Sequence, residues 1–414
     1  MTEQIKKAIG SLYPAQKYAE QIARYERLEN LYKENFGTMP EHFFSAPGRS
    51  EICGNHTDHN FGKVMAAAIE LDVAAAATAD DDGLIVVASD TYPTVIVDTD
   101  DLEKKPEEEG TSAAIVRGIA AKMKADGYKI GGLKAVNTTN VLKGSGMSSS
   151  AAFEILVCTM LNDLYNDGKM DAVKAAQISQ YAENVYFGKP SGLMDQMACS
   201  VGGFVEIDFK NPSAPEVTPL SFDFGSTGYR LVITDCHADH ADATGDYAAI
   251  RADMAAAAEV FGKKYLRQVD ETKFYHALDK VRAAAGDLGV LRACHFFEEN
   301  KTVTRAAAAL KADDFETFKE CIIASGRSSF MYLQNIYCSS APRAQALSVA
   351  LCVSEKILSG HGAWRVHGGG FGGTIQAFVP EEKLSEYIGA MEMLFGENCC
   401  YPVSVRSVGG YMLG

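Results

Sequence analysis

Residues 142–152 read LKGSGMSSSAA, a run of small residues leading into an apolar periodicity carried by Phe153, Leu156, Val157, Met160, Leu161 and Leu164. That three-and-four spacing predicts a helix over Ser149–Tyr165 with one buried face. Glycines ahead of such a helix let the backbone approach an anion closely. Serines in its first turn add hydroxyls to amide donors already aligned with the helix dipole. The stretch therefore reads as a phosphate cradle, with a glycine-rich turn into a capped helix as the purely structural alternative. It is not the P-loop, because GxxxxGK[ST] is absent.

Two further segments are unusually rich in small or polar residues. Residues 366–373, VHGGGFGG, formally contain GxGxxG. Apolar extended segments flank them and no helix follows, which argues against a dinucleotide site. Their glycines are expected to pack against another backbone or against the phosphate loop. Residues 47–60, PGRSEICGNHTDHN, concentrate Arg49, Asn55, His56, Asp58 and His59. A short carboxylate such as Asp58 can accept from two adjacent sugar hydroxyls. A metal site made of His56, Asp58 and His59 is disfavoured, because these residues alternate sides along an extended chain.

With 414 residues, 47% of them hydrophobic, the chain is long enough for two lobes, placed here at 1–225 and 226–414. The net charge of −15 argues against nucleic acid and anionic membrane as partners, so any phosphate must be held locally. None of the ten cysteines falls in a CxxC or zinc-type spacing, so buried, reduced thiols are expected, including Cys158, Cys321 and Cys352. The charged N-terminus lacks a signal-peptide core and no stretch resembles a membrane span. A cytoplasmic location is expected.

Surface helices are expected up to Asn35–Gly37, then strand-rich sequence to Val97 and an acidic loop over Asp98–Glu109. Helices and strands alternate from Thr111, and mainly helices follow a strand at Tyr229–Asp235. One of these helices is placed at Pro342–Leu358, with the proline in its first turn. Strands are expected at Ala363–His367, Thr374–Val379 and Val403–Ser407. The class is α+β, and without a low-complexity linker the lobes are expected to share an interface. His237 and His240 read as part of a polar loop.

Taken in order, these segments resemble the motifs of the GHMP family of small-molecule kinases, and within it the galactokinases. Pro47–Ile69 (PGRSEICGNHTDHNFGKVMAAAI) resembles the galactokinase signature, Gly144–Ala152 the family phosphate loop, and VHGGGFGG the third motif. Ser191–Gly203 (SGLMDQMACSVGG) is similar to the segment that carries the catalytic aspartate. The resemblance implies a two-lobed fold with the site in the cleft, and ATP- and Mg2+-dependent phosphorylation of the anomeric hydroxyl of D-galactose. It makes Asp195 and Arg49 the catalytic pair, and Gly144, Ser145, Gly146, Met147, Ser148, Ser149 and Ser150 the nucleotide loop, with Lys143 near the phosphates. Ser150 and Glu183 become the magnesium ligands, and Asn55, His56, Asp58 and Tyr247 the sugar contacts. A monomer or weak homo-oligomer, with sugar and ATP as its partners, is expected.

Three departures stand out. Galactokinases usually carry glutamate where this chain has Asn55 and commonly tyrosine where it has His59, and HADHADATGDYAAIR around Tyr247 is atypical. A neutral Asn55 would not repel a sugar whose sixth carbon is a carboxylate, so a galacturonate 1-kinase is the enzymatic alternative. A non-catalytic sugar- and nucleotide-binding regulator is the other, disfavoured by the intact serine loop and Asp195.

Overall fold

In the computed structural model, which describes all residues except 143–145 and 239–242, strands β1 (His42–Cys53) and β2 (Lys63–Asp80) form the spine of the first sheet. Residues 74–77 of β2 are four consecutive alanines, all buried, and the period-2 rule divides them between the two faces of the sheet. Ala74 and Ala76 meet Tyr25, Leu28 and Tyr32 of the helix Tyr18–Phe36. Val73, Ala75 and Ala77 join the core beneath the helix Ser149–Asn166. Alanine lets helices lie close on both sides of one strand.

The sheet continues through β3 (Leu84–Ser89), β4 (Val95–Asp98), β5 (Gly132–Thr139), β6 (Phe204–Asp208) and β7 (Glu216–Leu220). A second, four-stranded sheet contains β8 (Tyr229–Ala238), β9 (Ala363–Val366), β10 (Gly373–Pro380) and β11 (Cys400–Val403) in the order β11-β8-β10-β9. The short turn Phe224–Thr227 separates the sheets, and the tail returns as β12 (Tyr411–Met412) to pair with β1. One core cluster contains residues of both halves, with Phe318, Leu231 and Phe378 beside Phe204, so the expected interface exists.

The tail is fixed by a buried charge network. Asp72, fully buried, accepts from Arg24, Tyr13, Ser45 and Arg406, binding the N-terminal helices and the C-terminal tail to the sheet.

Several expectations need correction. The helix placed at Pro342 begins at Ala346, and the strand placed at Val403–Ser407 ends at Val403, leaving Val405 in an isolated bridge to Ile69. Cys352 is exposed rather than buried, whereas Cys158 and Cys321 are buried as expected. The segment Ala172–Phe187 is helical but changes to a π-helical turn over Ala182–Phe187 before Gly188, a distortion that places Glu183. No helix among the described residues is long and apolar enough to cross a membrane.

Candidate active site

The loop ahead of the helix Ser149–Asn166 is braced from both sheets. The Arg49 N–H donates to the Met147 carbonyl at 3.0 Å, and a Cβ at Gly48 would sit 2.8 Å from that same oxygen, so glycine permits the approach. Gly146 lies against His367 and Thr374 of the third glycine-rich segment, where its Cβ would come within 3.1 Å of His367 Nδ1. That segment therefore reaches the loop through the His367 side chain, with Thr374 just after it, while its glycine Gly370 packs against the Asn335 backbone, the other contact expected of it. Lys143, Gly144 and Ser145 lie outside the described residues, as does His240. His237 is exposed and 3.4 Å from Asp235.

Asp195 stands in the first turn of the helix Met194–Val201, where the dipole favours a carboxylate. Arg49 Nε and Nη2 each lie 2.8 Å from Asp195 Oδ1, and Ser148 Oγ donates to Oδ2. Arg49 Nη1 donates to the Gly146 carbonyl. Ser148, in the left-handed region at φ 59°, caps the helix Ser149–Asn166 by position but gives its hydroxyl to Asp195. Burial pushes the Asp195 carboxyl up, but the Arg49 charge and the bonds from Ser148 and Arg49 outweigh it and hold the group below the usual value. Phosphate loop, β1 and the helix Met194–Val201 thus meet at one carboxylate.

The polar turn after β1 lies under the third glycine segment. His56, at φ 57°, donates from Nε2 to the Gly369 carbonyl at 2.9 Å. Tyr247 donates to the Gly370 carbonyl at 2.9 Å, and its ring lies 5.9 Å from that of His56. Burial raises the Tyr247 hydroxyl to about 12. Asp58 lies beside Gly192, three residues before Asp195, and its carboxylate has no hydrogen-bond donor among the described residues. Asn55 is fully engaged: its amide donates to Glu51 at 2.8 Å and to the Gly368 carbonyl, and its oxygen accepts from Asn335 at 2.6 Å.

Beside the helix start lies a cavity of about 190 Å³. Ser149, Ser150, Glu154 and Glu183 line its polar side, while Tyr92 and Phe187 contribute to its apolar side. Ser150 is exposed and Glu183 is buried. Glu183 accepts from Lys189 at 2.7 Å, from Gln196 at 2.8 Å and from Ser191. Glu154, also buried, accepts from Gln196 at 2.9 Å. Burial, then the charge of Glu183, raises its carboxyl well above the ordinary range. Sequence reasoning missed Glu154, Gln196, Lys189, Tyr92 and Phe187. A signal existed for Glu154, which lies on the same helical stripe as Val157 and Leu161, where a solvated glutamate does not belong.

Residues 30–79 match the galactokinase galactose-binding signature and residues 114–203 the N-terminal domain of GHMP kinases. A galactokinase of Streptomyces coelicolor is 30% identical over 88% of this chain and 91% of its own length. One from Glaesserella parasuis is 30% identical over 90% and 93%. The Lactococcus lactis galactokinase complexed with galactose superposes with a TM-score of 0.78 at 25% identity, covering 94% of this chain and 99% of that one. Methanococcus jannaschii mevalonate kinase shares the fold at a TM-score of 0.62 and 14% identity, over 88% and 98%. Signature, phosphate loop and end-to-end similarity coincide, and the chain belongs to the galactokinase family of GHMP kinases.

Proposed function

We propose that the protein transfers the γ-phosphoryl group of ATP to the anomeric hydroxyl of D-galactose, giving galactose 1-phosphate and ADP. The observation that carries this reading is the junction at Asp195, where the phosphate-loop serine Ser148 and the β1 arginine Arg49 hold one carboxylate between them. Asp58, whose carboxylate is unengaged among the described residues, takes adjacent hydroxyls of the sugar, with His56 and Tyr247 shaping its pocket. The loop from Gly144 to Ser150 cradles the phosphates, and the slot at Tyr92 and Phe187 takes the base.

In the transfer step a lone pair of the anomeric oxygen forms the new bond to phosphorus while the bond to the β–γ bridging oxygen breaks. ADP carries off that electron pair. Catalysis is mostly positioning and charge stabilisation. Held ionised and low in pKa, Asp195 is a weak base. It orients the hydroxyl first and takes the proton late, as bonding to phosphorus acidifies that oxygen. Arg49 holds Asp195 in place and faces the charge that develops on the phosphoryl oxygens.

The residues fit a magnesium ion. A hydroxyl at Ser150 and carboxylates at Glu183 and Glu154 line one cavity, and the buried Glu154 Oε1 has no hydrogen-bond partner. Such an oxygen-only donor set suits a hard cation. Ser150 and Glu183 would hold the ion, which when bound neutralises charge on the β- and γ-phosphate oxygens.

One observation favours galactose over galacturonate. Glu51 is buried 2.8 Å from the Asn55 amide and 3.5 Å from the Arg365 guanidinium, so a carboxylate, partly offset by Arg365, remains beside the position that Asn55 neutralises. Steady-state turnover with the two sugars tests this choice, and a preference for galacturonate would reverse it. Against the regulator reading, Ser148 and Asp195 are both present and already joined.

A further inference from the structure

We infer that Glu154 is a third cation-facing residue of the nucleotide site, working with Ser150 and Glu183. The inference rests on the ATP-dependent kinase reading above and adds a residue to it. Ser150 and Glu154 stand four residues apart on the helix Ser149–Asn166, so their side chains share a face, and both line the cavity at its start. Glu183 reaches the same cavity from the π-helical turn.

The hydrogen-bond inventory separates the two carboxylates. Both oxygens of Glu183 have donors, Lys189 at 2.7 Å on one, Gln196 at 2.8 Å and Ser191 on the other. Glu154 has a donor on Oε2 alone, Gln196 at 2.9 Å, and its Oε1 is buried without a partner. Gln196 Nε2 thus bridges the two side chains and fixes their spacing. Because Gln196 follows Asp195 directly, the same helix sets the cation-facing carboxylates and the carboxylate that Arg49 holds.

Charge points the same way. Glu154 is 0% exposed and Glu183 3%. Among the described residues Lys189 is the one cation ion-paired to either, and its side chain is 56% exposed. Two buried carboxyl groups share one wet lysine beside this helix start, with burial and Glu183 pushing Glu154 towards its neutral form, and a divalent cation would supply the compensation that the protein does not. A cation held by Ser150 and Glu183 would offer Glu154 Oε1 the partner it lacks.

The test is Mn2+ binding, read by electron paramagnetic resonance of free Mn2+ with a non-hydrolysable ATP analogue present, in wild type, Glu154→Gln and Glu154→Asp. Glu154→Gln keeps the shape and removes the charge. It is expected to weaken Mn2+ binding about tenfold or more while metal-free nucleotide binding and galactose binding stay within about twofold. Glu154→Asp keeps the charge but withdraws the oxygens by one methylene, and is expected to weaken Mn2+ binding at least about threefold. Galactose binding reports which variants fold, and unchanged Mn2+ affinity in a folded variant overturns the inference alone. Wild type that binds no Mn2+ with the nucleotide overturns the inference and the kinase reading together.

Discussion

Arg49 approaches Asp195 with two nitrogens, Nε and Nη2, each 2.8 Å from the same carboxylate oxygen, while its third nitrogen donates to the Gly146 carbonyl of the phosphate loop. One planar guanidinium therefore sets the distance between the loop ahead of the helix Ser149–Asn166 and Asp195, the residue proposed to face the acceptor. Lysine cannot reproduce this fork. Arg49→Lys is expected to lower kcat by about 10-fold or more while the protein stays folded, because a single ammonium cannot hold both partners. Steady-state kinetics with galactose checks this, and a variant with wild-type kcat would remove the fork from the mechanism.

The Asp72 network predicts a pH dependence of stability. Burial raises the Asp72 carboxyl, but Arg24 and Arg406, with bonds from Ser45 and Tyr13, more than offset it, so the folded-state pKa lies below the unfolded one. The folded state then binds fewer protons. Its stabilisation is complete above about pH 4, the unfolded value, and is lost as pH falls through the lower folded value. Asp72→Asn leaves the buried Arg406 and the half-buried Arg24 without their carboxylate and is expected to cost about 3 kcal/mol near neutral pH. Urea unfolding across the acid range should show the variant flatter in pH than wild type, and parallel curves would contradict the assignment.

Gly370 carries a third prediction. Its φ is +81°, and a Cβ there would overlap the carbonyl oxygen of Asn335, the residue that holds the Asn55 side chain. Gly370→Ala should therefore lower stability by about 2 kcal/mol or more and raise the galactose KM, since Asn335 must move to make room. Thermal melts and kinetics read the two effects separately. An unchanged KM in a destabilised variant would disconnect Asn335 from the sugar pocket.

The Glu51–Asn55 contact makes a fourth. With a buried carboxylate 2.8 Å from the Asn55 amide, only partly offset by Arg365 at 3.5 Å, galacturonate is expected to turn over with kcat/KM several-fold, about 3-fold or more, below galactose. Neutralising the charge by Glu51→Gln should narrow that gap. A gap that stays the same in the variant would mean Glu51 does not select the sugar.

Much of this site was legible because its signals are local. The helix after GSGMSSS announces itself by apolar spacing, and Asp195 by its place after a proline and glycine ahead of an apolar run. Residues that act through distant contacts were not legible. Glu154 stands out locally only by its place on the buried stripe of its helix, and what it does there emerges when the chain folds Glu183 and Gln196 against it. Tyr92 sits in a connection after β3 and joins Phe187 in one cavity only through tertiary packing. β7 carries a proline, Pro219, and among the described residues pairs only with β6, which makes it an edge strand that pattern reading passes over. The helix Leu384–Phe395 buries only Tyr387 and Met391, too few positions to reveal a face, and the return of β12 to β1 is a non-local pairing. Pro342 satisfied the preference for a first-turn proline, yet the helix starts four residues later.

The most direct test of the whole account is magnesium-dependent ADP release from ATP by the purified protein, with and without D-galactose, in wild type and Asp195→Ala. The account predicts release that requires galactose and magnesium together, and a loss of about 100-fold or more in kcat for Asp195→Ala with galactose binding retained. Galactose-independent release, or near-normal turnover in the variant, would contradict it.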